Sequence, residues 1–271
     1  MRPLVMGVLN VTPDSFSDGG AWPDPDAAVR HGRRLLAEGA DVVDVGGEST
    51  RPGAEPVGID TELARVVPTI EALVEEVAAA GARLSVDTRH AEVAREALAA
   101  GATILNDVSG SLEQVAAEAG AGWVAMHMQG EPGTMQDAPR YDDVVGEVQA
   151  FLVAAARRGS AAGVDEVWID PGIGFGKTFA HNWSLLGALD SLVATGTPVA
   201  IGTSRKGFLG AILGEADGTD ERPGPEDRLE GSITTACWAA TMGAAMIRVH
   251  DVRATVAALD AALTPPGPGG T

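Results

Sequence analysis

The chain has 271 residues, 45% of them hydrophobic and 21% charged, a balance that places it among folded globular proteins and away from disordered ones. Its net charge of −19 argues against a nucleic-acid partner, and its single cysteine, Cys237, excludes a disulfide framework and any cysteine-built zinc or iron–sulfur centre. No apolar run approaches the roughly 18 residues of a membrane span, and Met1 leads almost at once into a strand-like segment, so neither membrane insertion nor a secretion signal is expected and the predicted location is cytoplasmic.

The chain then repeats one unit: a short apolar run, a Gly-rich polar loop, and an Ala/Leu/Glu/Arg stretch of helical period. Predicted strands cover Leu4–Leu9, Val42–Val45, Arg83–Val86, Thr103–Leu105, Trp123–Met126, Val167–Ile169, Val199–Ile201 and Met246–Val249. The helical stretches that follow them in turn are Asp26–Glu38, Asp60–Ala80, Ala91–Ala100, Leu112–Ala119, Asp142–Ala162, Asn182–Ala194, Pro225–Met242 and Val252–Leu263. Continuous apolar strands imply burial on both faces, as in a parallel sheet. Gly39, Gly81, Gly101, Gly120 and Gly163 fall just past helical runs, where a left-handed residue ends a helix. Eight such units predict an α/β fold, a single-domain (β/α)8 TIM barrel over residues 1–263, with 264–271 as a flexible C-terminal tail. An open doubly wound sheet is the competing architecture, but no Gly-x-Gly-x-x-Gly follows the first strand. The acidic, Gly/Pro-rich stretch Gly214–Asp227 reads as mobile surface.

A barrel of this kind carries its chemistry where its strands end. The first strand delivers Asn10 and a polar loop with Phe16; the second delivers Gly46-Gly47-Glu48-Ser49-Thr50-Arg51-Pro52-Gly53. The next three deliver Asp87, Asn106-Asp107 and, after Met126, His127. The last three deliver Asp170 through Lys177, Gly202-Thr203-Ser204-Arg205-Lys206, and Arg248-Val249-His250-Asp251. Every strand ends in polar residues at one mouth, which marks a site.

Arg248 and His250 stand two apart on a strand and share a face; with Lys206 and Arg51 they form a cationic pocket of phosphate size. Each also has an ordinary reading, a solvated strand-end charge for Arg248 and a helix-start residue for His250. Asp87, Asn106 and Asp170 face one another without the histidine partners of a zinc site, and His127 alone is a weak ligand. Carboxylates there need N–H donors, and a guanidine-like edge on a nitrogen heterocycle supplies them, with Lys206 donating to a ring carbonyl. Helix capping is the alternative for each Asp and the better one for Asp107. Asn10 offers one neutral oxygen, suited to a Mg²⁺ that otherwise holds water and phosphate, though an Asn that forms a turn at a strand end is common. The long first two loops are lid candidates. Only Lys177 and Lys206 are lysines among the 19 basic residues, and they fall in the loops after the sixth and seventh strands, where a compact ammonium serves and a planar guanidinium does not.

These residues resemble one family. Met6 to Gly20, read Met-Gly-Val-Leu-Asn-Val-Thr-Pro-Asp-Ser-Phe-Ser-Asp-Gly-Gly, and Gly46 to Ala54 are similar to the two opening signatures of the dihydropteroate synthases. Ser85–Thr88, Asn106–Gly110, Met126–Gly130, Asp170–Lys177, Ser204–Lys206 and Arg248–Asp251 resemble further blocks of that family in its order. The resemblance implies condensation of 6-hydroxymethyl-7,8-dihydropterin pyrophosphate with p-aminobenzoate to 7,8-dihydropteroate and pyrophosphate, by SN1-like C–O cleavage. It implies pterin on Asp87, Asn106, Met126, Asp170, Lys206 and Arg248, and pyrophosphate on Asn10, Thr50, Arg51, Arg248 and His250 with Mg²⁺ at Asn10. It places p-aminobenzoate on Phe16, Pro52, Phe175, Ser204 and Lys206. The catalytic set is then Lys206, Asp87, Asp170, Arg248 and His250, and a homodimer is expected. Two other readings are a methyltetrahydrofolate methyltransferase-like barrel, which leaves Arg51, Arg248 and His250 without a pyrophosphate to hold, and a catalytically silent pterin-binding paralogue, in which the loops have no task.

Overall fold

A computed structural model describes residues 2–12, 25–49, 56–219 and 221–264. Strand β1 (Leu4–Asn10) pairs in parallel with β2 (Val42–Gly46) on one side and β8 (Met246–Val249) on the other. The sheet continues from β2 through β3 (Arg83–Thr88), β4 (Ile104–Asp107), β5 (Gly122–Met126) and β6 (Val167–Asp170), and from β8 to β7 (Ala200–Ile201). A single bridge, Ile169 to Val199, and the bond from Ile169 N to Pro198 O at 2.9 Å bring β6 against β7 and close the ring. The predicted eight-stranded barrel is the observed one.

Alternation along these strands sorts the interior into two cores. Outward residues such as Val43, Val86, Leu105, Ile169 and Ile247 join the helices in one large cluster. Inward residues Met6, Val42, Ile104, Val124, Trp168, Ala200 and Met246 form a second, dry cluster inside the ring. Both faces exclude water, which is why the strands read as unbroken apolar runs.

The helices α1 (Pro25–Ala37), α2 (Ile59–Ala79), α3 (Ala91–Ala99), α4 (Glu113–Ala119) and α5 (Val144–Ala162) follow the first five strands. The five glycines expected past helix ends all have positive φ, between 63° and 117°. Asp143 caps α5 by accepting from Gly146 N at 3.1 Å.

The second half departs from expectation in three places. The helix predicted over Asn182–Ala194 is two, α6 (Phe179–Gly187) and α7 (Leu189–Val193), broken at Ala188. Thr178 starts α6 early, accepting from His181 N at 3.2 Å while His181 Nδ1 accepts from Thr178 N. An extra helix, α8 (Gly207–Ala216), runs into the acidic stretch Gly214–Asp227 expected to be mobile surface and makes its first three residues helical. The helix predicted from Pro225 is a 3-10 turn, Pro225–Asp227, then α9 (Leu229–Thr241), separated at Arg228. Arg228 breaks the run because its guanidinium turns back to Pro223 O and Arg205 O, at 2.8 and 2.9 Å. Helix α10 (Val252–Leu263) ends the described chain; the predicted tail beyond residue 264 lies outside the described residues. No helix among the described residues is long and apolar enough to cross a membrane.

Candidate active site

Strand register builds the site. Gly46 pairs with Asp87, Asp87 with Asn106, and Met126 with Asp170, so these positions share the inner face at the C-terminal mouth, just above the dry cluster. A cavity of about 540 Å³ opens there. Asn10, Asp87, Asn106, Met126 and Asp170 line it from the strands, and Phe175, Ser204, Lys206, Arg248 and His250 line it from the last three loops and β8. Phe16, Thr50, Arg51 and Pro52 lie outside the described residues.

Arg248 is the centre of charge. Its Nε lies 2.7 Å from Asp44 Oδ2 and its Nη2 2.5 Å from Asp87 Oδ2. Asn106 Nδ2 donates to the same Asp44 oxygen at 3.0 Å. Burial works against the guanidinium charge, but Asp44 and Asp87 more than offset it and hold Arg248 above its ordinary value. Asp87 is pushed up to about 7, first by burial, with Arg248 opposing and Asp44 adding. Asp170 is also raised by burial, against the Gly172 N–H that donates to its Oδ1 at 2.7 Å.

Asp44 was missed by the sequence reading. It is fully buried in the middle of β2, and its Oδ1 has no partner. A lone carboxylate between Val43 and Val45 was the available signal: a charge kept inside an apolar strand needs a buried cation, and Arg248 is that cation. Asp107 takes the capping role expected of it. Its oxygens accept from the N–H groups of Ser109, Ser111 and Leu112 and from Trp123 Nε1, all within 3.0 Å, and tie down the turn into α4.

The opposite wall is cationic and aromatic. Lys206 Nζ stands 4.0 Å from the centre of the Phe175 ring. Burial, with Arg248 adding, lowers Lys206 to about 8, while Asp170 and Asp87 work the other way. The His250 backbone N–H donates to Ser204 Oγ at 3.1 Å, and Nδ1 lies 3.1 Å from the same oxygen. Burial, then Arg248 and Arg205, hold His250 down to about 3. The ring is therefore neutral at pH 7 and adds nothing to the cationic pocket expected of it; Arg248 and Lys206 stand beside the carboxylates, and Lys177, Arg205 and Arg228 also line the cavity.

His127 proves to be a partner of Lys177 and not a pocket base: Lys177 Nζ lies 3.0 Å from its Nδ1. Burial, with Lys177 adding, lowers His127 to about 3. Outside the cavity, Glu48, Glu62 and His90 bring ligand-type atoms within 4.8 Å of one another. Each is already paired. Glu62 accepts from Thr88 Oγ1 and meets His90 Nδ1, both at 2.6 Å, and Arg89 Nε donates to Glu48 at 2.8 Å. Glu48 also accepts from Val57 N at 3.2 Å, so the group joins residue 48 to residue 57 across the second loop.

The oxygen donor suited to Mg²⁺ is elsewhere. Where Gly46 has no side chain, Asn10 Oδ1 and Asp87 Oδ2 face the same space, 3.6 and 3.7 Å from the position a Cβ would take. Asp87 is engaged by Arg248, so Asn10 supplies the one neutral oxygen. That donor set fits a Mg²⁺ that keeps its waters and binds phosphate.

The pterin binding enzyme family matches residues 6–250. The dihydropteroate synthase of Mycobacterium leprae is 52% identical over 265 residues, covering 94% of this chain and 90% of that one. The Xanthomonas albilineans dihydropteroate synthase structure with 4-aminobenzoic acid superposes with a TM-score of 0.86 at 47% identity, over 97% of this chain and 94% of that one. The same organism's enzyme in complex with 7,8-dihydropteroate gives 0.82 at 44% identity, over 97% and 95%.

Proposed function

The chain belongs to the pterin binding enzyme family, and on that premise we propose that it acts as a dihydropteroate synthase of folate biosynthesis. It joins 6-hydroxymethyl-7,8-dihydropterin pyrophosphate to p-aminobenzoate, forming 7,8-dihydropteroate and releasing pyrophosphate. The observation that carries this reading is the convergence of Asp87, Asn106, Asp170, Lys206 and Arg248 on one cavity above a closed apolar floor.

The assignments follow from what each group can offer. Asp170 keeps one oxygen on Gly172 N and has the other for a ring N–H and its neighbouring amino group. Asp87 and Asn106 complete the rim, Met126 supplies apolar surface, and Lys206 donates to the ring carbonyl. Arg248 spends Nε and Nη2 on Asp44 and Asp87, so Nη1 is its remaining donor edge for pyrophosphate. His250, neutral, donates from Nε2 if Nδ1 accepts from Ser204. Asn10, Thr50 and Arg51 serve the same anion from the first two loops. A Mg²⁺ bound at Asn10 supplies further charge to the leaving pyrophosphate. Phe175, Ser204 and Lys206, with Phe16 and Pro52, hold p-aminobenzoate.

Reaction begins as the C–O bond breaks and its electron pair leaves with pyrophosphate. The methylene carbon becomes cationic and shares that charge with the electron-rich ring, where Asp87 and Asp170 stabilise it. The neutral arylamine then forms the C–N bond, and its proton passes to the released pyrophosphate or to solvent water. No strong base is required, which agrees with a pocket whose histidine, held down to about 3, is a weak one. Much of the barrier is removed by holding the two rings in register.

A homodimer and a cytoplasmic location belong to the same proposal. Trp183 on α6 and Trp238 on α9 remain 40% and 46% exposed, and Trp238 Nε1 donates to Leu186 O at 3.0 Å, so the two apolar surfaces adjoin. The deciding assay is pyrophosphate release with Mg²⁺, with and without p-aminobenzoate. Release that depends on p-aminobenzoate, with dihydropteroate formed in equal amount, is expected. Saturable pterin binding without release overturns the synthase reading in favour of a silent or methyl-transferring relative.

A further inference from the structure

Lys177 is one of the chain's two lysines, and none of the roles above uses it. It is 1% exposed, at the end of the loop that follows β6. That loop is pinned at successive peptides. Gly174 O accepts from Gln136 Nε2 at 2.6 Å, Gly176 O from the Tyr141 hydroxyl at 2.9 Å, and Gly174 N donates to Asn182 Oδ1 at 2.8 Å. Gly172 and Gly176 have φ of 64° and 60°, and a Cβ at either would collide with a backbone carbonyl, of His127 or of Gln129. The loop therefore lies flush against the segment after β5.

The Lys177 side chain turns back under this loop. Its Nζ lies 3.0 Å from Phe175 O, 3.0 Å from His127 Nδ1 and 3.3 Å from His127 O. Burial lowers Lys177 to about 7, with Asp170 opposing, and its compact amine meets three acceptors from two loops, an arrangement that a planar guanidinium does not match. Phe151 packs edge-on to the His127 ring at 5.0 Å and closes the cluster from the α5 side. Removing the amine leaves three acceptors buried without it, so Phe175 O loses the tie that sets its peptide. The ring of Phe175 is the surface under Lys206 Nζ.

We propose that Lys177 is a positioning residue for the arylamine substrate, acting through Phe175: it fixes the peptide that holds the Phe175 ring beneath Lys206. This rests on the synthase reading above. Most of the pterin rim stands apart from it, because Asp87, Asn106 and Arg248 are held on strands by Asp44 and by the sheet, while Lys206 serves both substrates. The effect should therefore fall more heavily on p-aminobenzoate than on the pterin.

The test measures Lys177→Met, Phe175→Ala and the double variant for three quantities: KM for p-aminobenzoate, kcat, and the dissociation constant of dihydropterin pyrophosphate. Wild type assayed alongside separates failures, since a wild type that makes no dihydropteroate overturns the synthase reading itself. Lys177→Met is expected to raise the p-aminobenzoate KM on the order of tenfold or more, with pterin affinity changed far less. The double variant should be no worse than the worse single one, because both act on one element. Additive effects overturn the proposal, since Lys177 then does not act through Phe175. Equal weakening of both substrates with a lowered Tm also overturns it and leaves Lys177 a general staple of the loop. Should Lys177→Met fail to fold, Lys177→Ala, which also removes the amine but sets no apolar group against the three acceptors, is judged by the same criteria.

Discussion

Trp168 and Asp170 stand two residues apart on the same face of β6, with 6% and 7% exposure, and they belong to opposite interiors. Trp168 lies in the dry cluster that fills the ring. Asp170 lies in the layer above it, where Asp44, Asp87 and Asp170 share the cations Arg248 and Lys206. The lower layer gains stability from burial. The upper one holds carboxylates at a desolvation penalty that raises Asp87 and Asp170 toward their neutral forms. One fold carries both because the lower layer secures the strands on which the upper layer is mounted. The upper layer is then free to be complementary to a ligand rich in N–H donors.

That division can be broken at either residue. Trp168→Ala should have the largest effect on the fold, a loss of about 3–5 kcal/mol in urea unfolding, while the protein that remains folded binds the dihydropterin as wild type does. A loss under about 1 kcal/mol would remove the distinction, since it is far below the cost of a buried tryptophan. Asp170→Ala should do the reverse. It costs about 3 kcal/mol of transition-state stabilisation in kcat/KM, with the unfolding midpoint preserved or raised. Near-normal kcat/KM in that variant would sink the assignment of Asp170 to the pterin.

Lys206→Arg sharpens the comparison within the upper layer. The Lys206 ammonium sits over the Phe175 ring at 4.0 Å and between two carboxylates, and a guanidinium there projects a planar fork into space meant for the substrate. A roughly tenfold fall in kcat/KM is expected, against no change for an exposed substitution of the same kind. Wild-type turnover would mean that the scarcity of lysine in this chain says nothing about this position.

How much of this was legible depended on whether a local pattern carried the information. The barrel was legible because each strand is apolar on both faces and each early helix ends in a glycine of positive φ. Helix α8 was not, since Gly207, Gly210 and Gly214 lower its intrinsic propensity and its stability comes from packing of Phe208 and Leu209. The cavity residues were legible from their place at strand ends. Their charge states were not: His250 belongs to a pocket that reads as cationic, and its burial, with Arg248 and Arg205 around it, is what shows that it is neutral. Asp44 stayed hidden because its partner Arg248 is 204 positions away, and the Lys177–His127 pair because it joins two loops 50 positions apart.

The smallest expected effect concerns pH and tests whether the upper layer is strained by burial. Asp87, held up to about 7, keeps its proton in the fold where an ordinary carboxyl, near 3.8, has lost it. Its contribution to stability is therefore fully present below about 3.8 and is lost as pH rises toward about 7. His127 and His250, both held to about 3, run the other way: neutral in the fold and protonated in the unfolded chain below 6.5, they make stability rise over the same window. Wild type alone mixes these slopes, so the informative quantity is the stability of wild type minus that of Asp87→Asn. That difference should decline as pH rises from about 4 to 7 and level off above it. The acid limb of kcat/KM should also disappear in Asp87→Asn, because Asp87 must be ionised to offset the cationic ring. A stability difference that stays flat across this range would show that Arg248 neutralises Asp87 fully, and that the upper layer bears no penalty at this position.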